Sequence, residues 1–137
     1  MDTRHIVELY AEIGQELIYE MPELADLREG DITIVYLGSD AEKKSKGNLV
    51  YGQCEKVASK YKWGIPCDFT ITIFEPNVKD FTTDQLRILI FHELLHIGVD
   101  EDGGYYVKPH DLEDFTAVID RYGAHWSEPK PAPLPFE

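Results

Sequence analysis

Residues 86–98, LRILIFHELLHIG, limit the fold more than any other stretch of the chain. Apolar side chains recur on nearly every side of a helical projection. A helix here has little surface to give to water and must run through the core. Thr82, with Gln85 three residues on, supplies a capping box that sets its start, and Gly98 reads as its stop. Beyond Arg87 near its start, three polar residues interrupt the run: His92, Glu93 and His96. Burying two imidazoles on an otherwise aliphatic helix costs about 1–3 kcal/mol each unless each finds a partner. Two structural solutions exist. The rings hydrogen-bond to carbonyls, or they share a metal ion.

The spacing favours the ion. Residues four apart lie one above the other on a helix face, so His92 and His96 are placed to reach one zinc through neutral ring nitrogens. Glu93 is rotated about a quarter turn from His92, off the ion but near a water on it. Zinc lowers the pKa of such a water to about 7, and a neighbouring carboxylate takes its proton and passes it to a leaving amine. These residue types at this spacing match the needs of metal-assisted hydrolysis.

A catalytic zinc usually takes three protein ligands and keeps a fourth position open. His5 reads as a solvated side chain on the first helix, and His125 follows the last helix beside Trp126. His110 is the favoured third ligand, because the Gly103-Gly104 turn lets the chain double back and Pro109 holds the residue at a helix start. Asp111 and Glu113 compete with it, and a helix-capping histidine is its structural alternative. Asp111 and Asp114 are further candidates to orient a ligating ring, although capping explains them more simply. Tyr105, Tyr106, Tyr122 and His125 lie near the site in sequence, and none stands out as a partner for a developing oxyanion. Asp100, Glu101 and Asp102 lack the spacing of a calcium loop and read as a solvated turn.

Elsewhere the chain reads as a series of short elements. Ile6, Leu9, Tyr10, Ile13, Leu17 and Ile18 predict an amphipathic helix over residues 3–20, ended by Met21-Pro22. DITIVYL (31–37) predicts a strand and residues 38–48 a polar loop. Residues 50–58 suggest a strand bulged at Gly52, followed by a turn at Gly64 and Pro66. DFTITIF (68–74) alternates as a strand with one buried face, and EPNVKDF follows as a loop. YYV (105–107) predicts a short strand, and HDLEDFTAVIDRYG a last helix ended by Gly123. Strands followed by helices predict an α+β fold: a small, mostly antiparallel sheet packed on a buried active-site helix, with N-terminal and C-terminal helices. Residues 1–126 are expected to form one domain, and the proline-rich tail 127–137 to be disordered.

Composition narrows the partners. Thirteen Lys and Arg against 26 Asp and Glu give a formal charge of −13, a surface that repels phosphate backbones and argues against direct nucleic-acid binding. Cys54 and Cys67 are too few and too far apart for a disulfide framework and read as reduced thiols in or near the core. The opening MDTRHIVELYAEI, with its mixed charge, does not read as a signal peptide, and no apolar run approaches the about 20 residues that span a bilayer. These features predict a cytoplasmic protein with no membrane contact.

DQLRILIFHELLHIG, VKPHDLEDF and RYGAHW together resemble the putative phage metallopeptidase family, small relatives of the SprT-like zincins. The resemblance covers roughly residues 28–126, and its most specific part is HELLH paired with KPHD shortly downstream. It implies a minimal zincin fold, one zinc held by His92, His96 and His110, Glu93 as general base, and a phage or prophage setting. The expected activity is hydrolysis of a peptide or protein substrate, with an extended peptide pairing to an edge offered by DFTITIF or DITIVYL. Two other functions fit the residues: a zinc-stabilised acidic module that binds a host protein without hydrolysis, and a metal-dependent hydrolase of a non-peptide amide.

Overall fold

In a computed structural model, the protein is described over residues 2–61, 63–64 and 66–109. The elements run β1 (Arg4–Ile6), α1 (Glu8–Glu20), a 3-10 turn at Pro22–Leu24, α2 (Ala25–Glu29), β2 (Ile34–Ser39), β3 (Lys44–Ser45), β4 (Asn48–Leu49) and β5 (Gly52–Lys56). They continue with β6 (Phe69–Phe74), α3 (Thr83–Leu94), β7 (Ile97–Val99) and β8 (Tyr105–Val107). The main sheet has the order β1-β2-β6-β5. β2 and β6 are parallel, while β1 and β5 join them antiparallel from either side. The fold is thus a small α+β domain, as the order of the elements suggested; its sheet is mixed, because the expected antiparallel pairings flank one parallel pair, β2 and β6.

β6 is the centre of this sheet, and its sequence shows why. Phe69, Ile71 and Ile73 are fully buried and share a core with Tyr36 of β2 and with Tyr10, Ile13 and Leu17 of α1. Ile88, Leu89, Ile90, Phe91 and Leu94 of α3 complete that core. The alternation predicted one buried face, yet Thr72 and Phe74 are also inaccessible. A strand with a neighbour on each side has few exposed atoms even where its residues alternate. On that second face Arg4 donates to Thr72 Oγ1 (3.1 Å) and lies over the Phe74 ring, 5.9 Å from its centre.

The start of α3 follows a simple rule. Thr82 Oγ1 accepts from the Gln85 N–H (3.1 Å) and Gln85 Oε1 accepts from the Thr82 N–H (2.9 Å), so the expected capping box closes both ways. Arg87 ties α3 to α1 through Glu16 (3.0 Å) and Glu20 (3.1 Å). At the N-terminus the prediction of one helix over residues 3–20 needs correction. Arg4–Ile6 form an edge strand on β2, and α1 starts at Glu8. Three exposed residues leave no period to read, and Ile6, which fitted the helical spacing, is largely exposed.

Three other expectations change. Residues 38–48 hold the small β3–β4 hairpin, turned by Lys46 and Gly47 in left-handed conformations. Gly52 is no bulge: the β5–β6 register is unbroken from Gly52 opposite Ile73 to Lys56 opposite Phe69. Neither DITIVYL nor DFTITIF offers a sheet edge, because β2 and β6 are both interior. The edges of the four-stranded sheet are β1 and β5. The last helix, ending at Gly123, and the tail 127–137 lie outside the described residues.

Candidate active site

α3 delivers His92 and Glu93 in its last turn and then stops at Leu94, short of the Gly98 end that the sequence predicted. The Leu95 N–H still donates to Phe91 O (3.0 Å), and the His96 N–H donates to Glu93 O (3.1 Å). One further, tighter turn therefore carries His96 over His92 before the chain extends into β7. Gly98 serves that strand instead of capping the helix. Its α-carbon lies under the Tyr106 ring, where an added Cβ would come within 2.3 Å of the ring. The β7–β8 pairing thus sets where the helix must end.

The two imidazoles lie edge to face, with ring centres 5.3 Å apart. A tetrahedral ion bound through one nitrogen of each ring at about 2.0–2.1 Å would hold the ring centres about 5 Å apart. His96 has a second feature suited to ligation. Its Nδ1 is 2.6 Å from the Lys108 carbonyl oxygen, and the Lys108 N–H bonds back to His96 O. A carbonyl only accepts, so in the neutral ring Nδ1 carries the proton and Nε2 the lone pair. Metal-ligating histidines are commonly oriented in this way. Both rings are half-buried, which makes them reachable from solvent and unlike a sealed pair in the core. The residues present therefore fit a bound metal ion. Among the described residues, no group of three or more His, Cys, Asp or Glu is gathered closely enough to hold one. His110, the expected third ligand, lies outside those residues, as do Asp111, Glu113, Asp114, Tyr122 and His125.

Glu93 is buried to 4% exposure, and its carboxylate rests against β5. A Cβ built on Gly52 would lie 3.2 Å from Glu93 Oε2. Cys54, on the same face of β5, has its thiol pushed up to about 12, first by burial and then by the charges of Glu93 and Glu55. It therefore stays protonated. Cys54 and Cys67 form no disulfide, in line with the reading of two thiols in or near the core. Sequence reasoning missed Gly52 and Cys54 as neighbours of the site. Only the strand register, which local pattern does not reveal, puts them beneath the helix.

β5 is also the sheet edge nearest this carboxylate. The Val57 N–H donates to Asp68 O (2.9 Å) and the Phe74 N–H to Tyr51 O (2.9 Å). Antiparallel alternation then points the odd-numbered residues of β5 at β6 and turns the backbone of Gly52, Cys54 and Lys56 outward. Tyr105 stacks near Phe69 at 6.1 Å and Tyr106 covers Gly98, so the described geometry gives both structural work. The Asp100–Gly104 turn is closed by its own backbone bonds and is exposed, as expected of a solvated turn. His5 is on β1, not a helix, and lies 3.2 Å from Glu75.

A buried helix whose last turn opens a His-Glu-x-x-His run, beside a mixed sheet, defines a small α+β protein with the residue pattern of metal-dependent hydrolases. The comparison with family models makes the assignment specific. The model described as Putative phage metallopeptidase matches residues 6–130, and the chain belongs to that family. The match includes the first helix, which the sequence resemblance had left out. No curated protein and no solved structure gives a significant match. Among the described residues, no helix is long and apolar enough to cross a membrane.

Proposed function

We propose that this protein is a zinc-dependent peptidase in which His92, His96 and His110 hold one zinc ion and Glu93 is the general base. The observation that carries the reading is the junction of α3, β5 and the β7–β8 hairpin. Two half-buried imidazoles face each other there, one oriented by a carbonyl, with a buried carboxylate alongside. Lys108, bonded to His96, is two residues from His110, a span of at most about 7 Å. When bound, the ion supplies Lewis acidity toward the scissile carbonyl and acidifies the attacking water.

The chain's own residues do the rest. Glu93 accepts the proton of the attacking water and hands it to the leaving amine, the step that completes cleavage. The Lys108 carbonyl keeps His96 in one tautomer and one orientation. The outward backbone of β5 receives an extended peptide as an added strand, in place of the two interior strands that the sequence offered. Its position beside Glu93 brings the peptide to the base. A burial of 4% for a carboxylate at this junction favours hydrolysis over a binding module that holds zinc only for stability, since such a module has no need of Glu93.

The test is digestion of a panel of unfolded proteins by the purified chain with zinc, with chelator, and as Glu93→Gln. Cleavage that requires zinc and vanishes in the variant is expected. Cleavage that survives Glu93→Gln overturns the assignment of the base. No cleavage of any unfolded protein, with hydrolysis of a non-peptide amide, moves the activity to that substrate class.

A further inference from the structure

We infer that Gly52 is a positioning residue for Glu93: the absence of a side chain at this one point of the edge strand lets the carboxylate sit where the peptide edge passes. The catalytic consequence rests on the peptidase reading, whereas the contact itself does not.

A glycine inside a strand is unfavourable by about 0.5–1 kcal/mol relative to alanine, so it asks for a reason. Backbone geometry supplies none. Gly52 is a regular member of the β5–β6 ladder, opposite Ile73, and the described residues with left-handed backbone are Lys46, Gly47 and Gly103. Space supplies one. A Cβ at Gly52 would meet Glu93 Oε2 at 3.2 Å, Glu93 Cγ at 3.3 Å and the Thr72 carbonyl oxygen at 3.3 Å. Thr72 belongs to the central strand and cannot readily recede. The Glu93 side chain is the group that must give, by a few tenths of an ångström.

The neighbouring positions do not share this role. Gln53 and Glu55 face the opposite side of the sheet, and Cys54 fills the next place on the same side with its thiol. Gly52 is also one of the β5 residues whose backbone N–H and C=O turn outward. A peptide added at that edge would have its backbone at the residue against which Glu93 rests. One glycine therefore brings the base and the peptide together.

The test compares wild type, Gly52→Ala, Glu93→Ala and the double variant. In denaturant unfolding of the metal-free proteins, the loss of midpoint caused by Gly52→Ala should shrink when Glu93 is alanine, because the methyl group then has room. Additive shifts overturn the contact. Should Gly52→Ala alone fail to fold, the double variant must regain the fold, and failure of both overturns the inference. In the zinc-loaded enzyme, Gly52→Ala should lower kcat about tenfold with KM and zinc affinity unchanged within about twofold. A raised KM with kcat intact overturns positioning in favour of peptide holding. If wild type hydrolyses nothing, the peptidase reading falls by itself, and the unfolding cycle still decides whether Gly52 makes room for Glu93.

Discussion

The N-terminal corner and the end of α3 each carry a histidine and a glutamate, and they are built in opposite ways. At the corner, His5 lies 3.2 Å from Glu75 with side-chain exposures of 56% and 37%. Glu75 also accepts from the Tyr10 hydroxyl at 3.0 Å. Close by, Asp2 and Arg4 pair at 2.9 Å and Arg4 reaches Glu55 at 3.2 Å, all partly in water. At the end of α3, Glu93 is 4% exposed and two half-buried imidazoles sit together. Exposed pairs cost little to form and contribute about 0–1 kcal/mol. Burying a carboxylate costs several times that unless partners compensate, so Glu93 is held by its surroundings far more closely than the corner carboxylates are. Proximity of histidine to glutamate does not mark a site. Burial with orientation does.

That contrast can be broken by substitution, beginning with its strongest claim. Glu93→Gln should reduce hydrolysis by about 10²–10⁴-fold while leaving zinc affinity nearly intact, as read by peptide turnover and metal competition. His110→Ala should weaken zinc affinity by at least about 100-fold, more than loss of an orienting partner would. Unchanged affinity would return the third position to Asp111 or Glu113. Glu75→Ala should cost about 1–2 kcal/mol in chemical unfolding, because Tyr10 is 6% exposed and loses its hydrogen-bond acceptor. Turnover should not change, and a large loss of activity there would erase the distinction between the two regions.

The smallest effect concerns pH. Hydrogen bonds from Arg4 and Ser39 hold the Asp2 carboxyl down at about 2, against an ordinary 3.8. A carboxylate with a lowered folded-state pKa stabilises the fold above the unfolded pKa, and that contribution is lost as pH falls through the folded value. Asp2→Asn should therefore lower stability slightly above about pH 4, where the contribution is fully present, and flatten the pH dependence of stability between about pH 4 and 2. An unaltered acid profile would show that this exposed cluster contributes nothing measurable.

The elements legible in the sequence were those with a local cause. The capping box at Thr82 and Gln85, the stop at Met21-Pro22, the alternation of FTITIF and the YYV strand each depend on neighbours in the chain. The placement of His92 and Glu93 on this helix was legible for the same reason. What escaped depends on distant partners. Ile6 fitted a helical period, yet β2 captured Arg4–Ile6 as an edge strand. Gly98 looked like a helix stop, yet it makes room for Tyr106 across a hairpin. Gly52 looked like a bulge, yet it accommodates a side chain from a helix about forty residues away. Strand order was equally hidden: composition marked both DITIVYL and DFTITIF as strands and said nothing of which lay at an edge. Glycines were the residues most often misread, because their reason lay in what approached them.

The most direct test of the account is a crystal structure with anomalous scattering at the zinc edge, on protein purified without added metal or chelator. One zinc is expected on His92, His96 and His110, with His96 Nδ1 still bonded to the Lys108 carbonyl and a water between the ion and Glu93. A fourth protein ligand closing the ion, or an empty site with both rings bonded to backbone carbonyls, would contradict it.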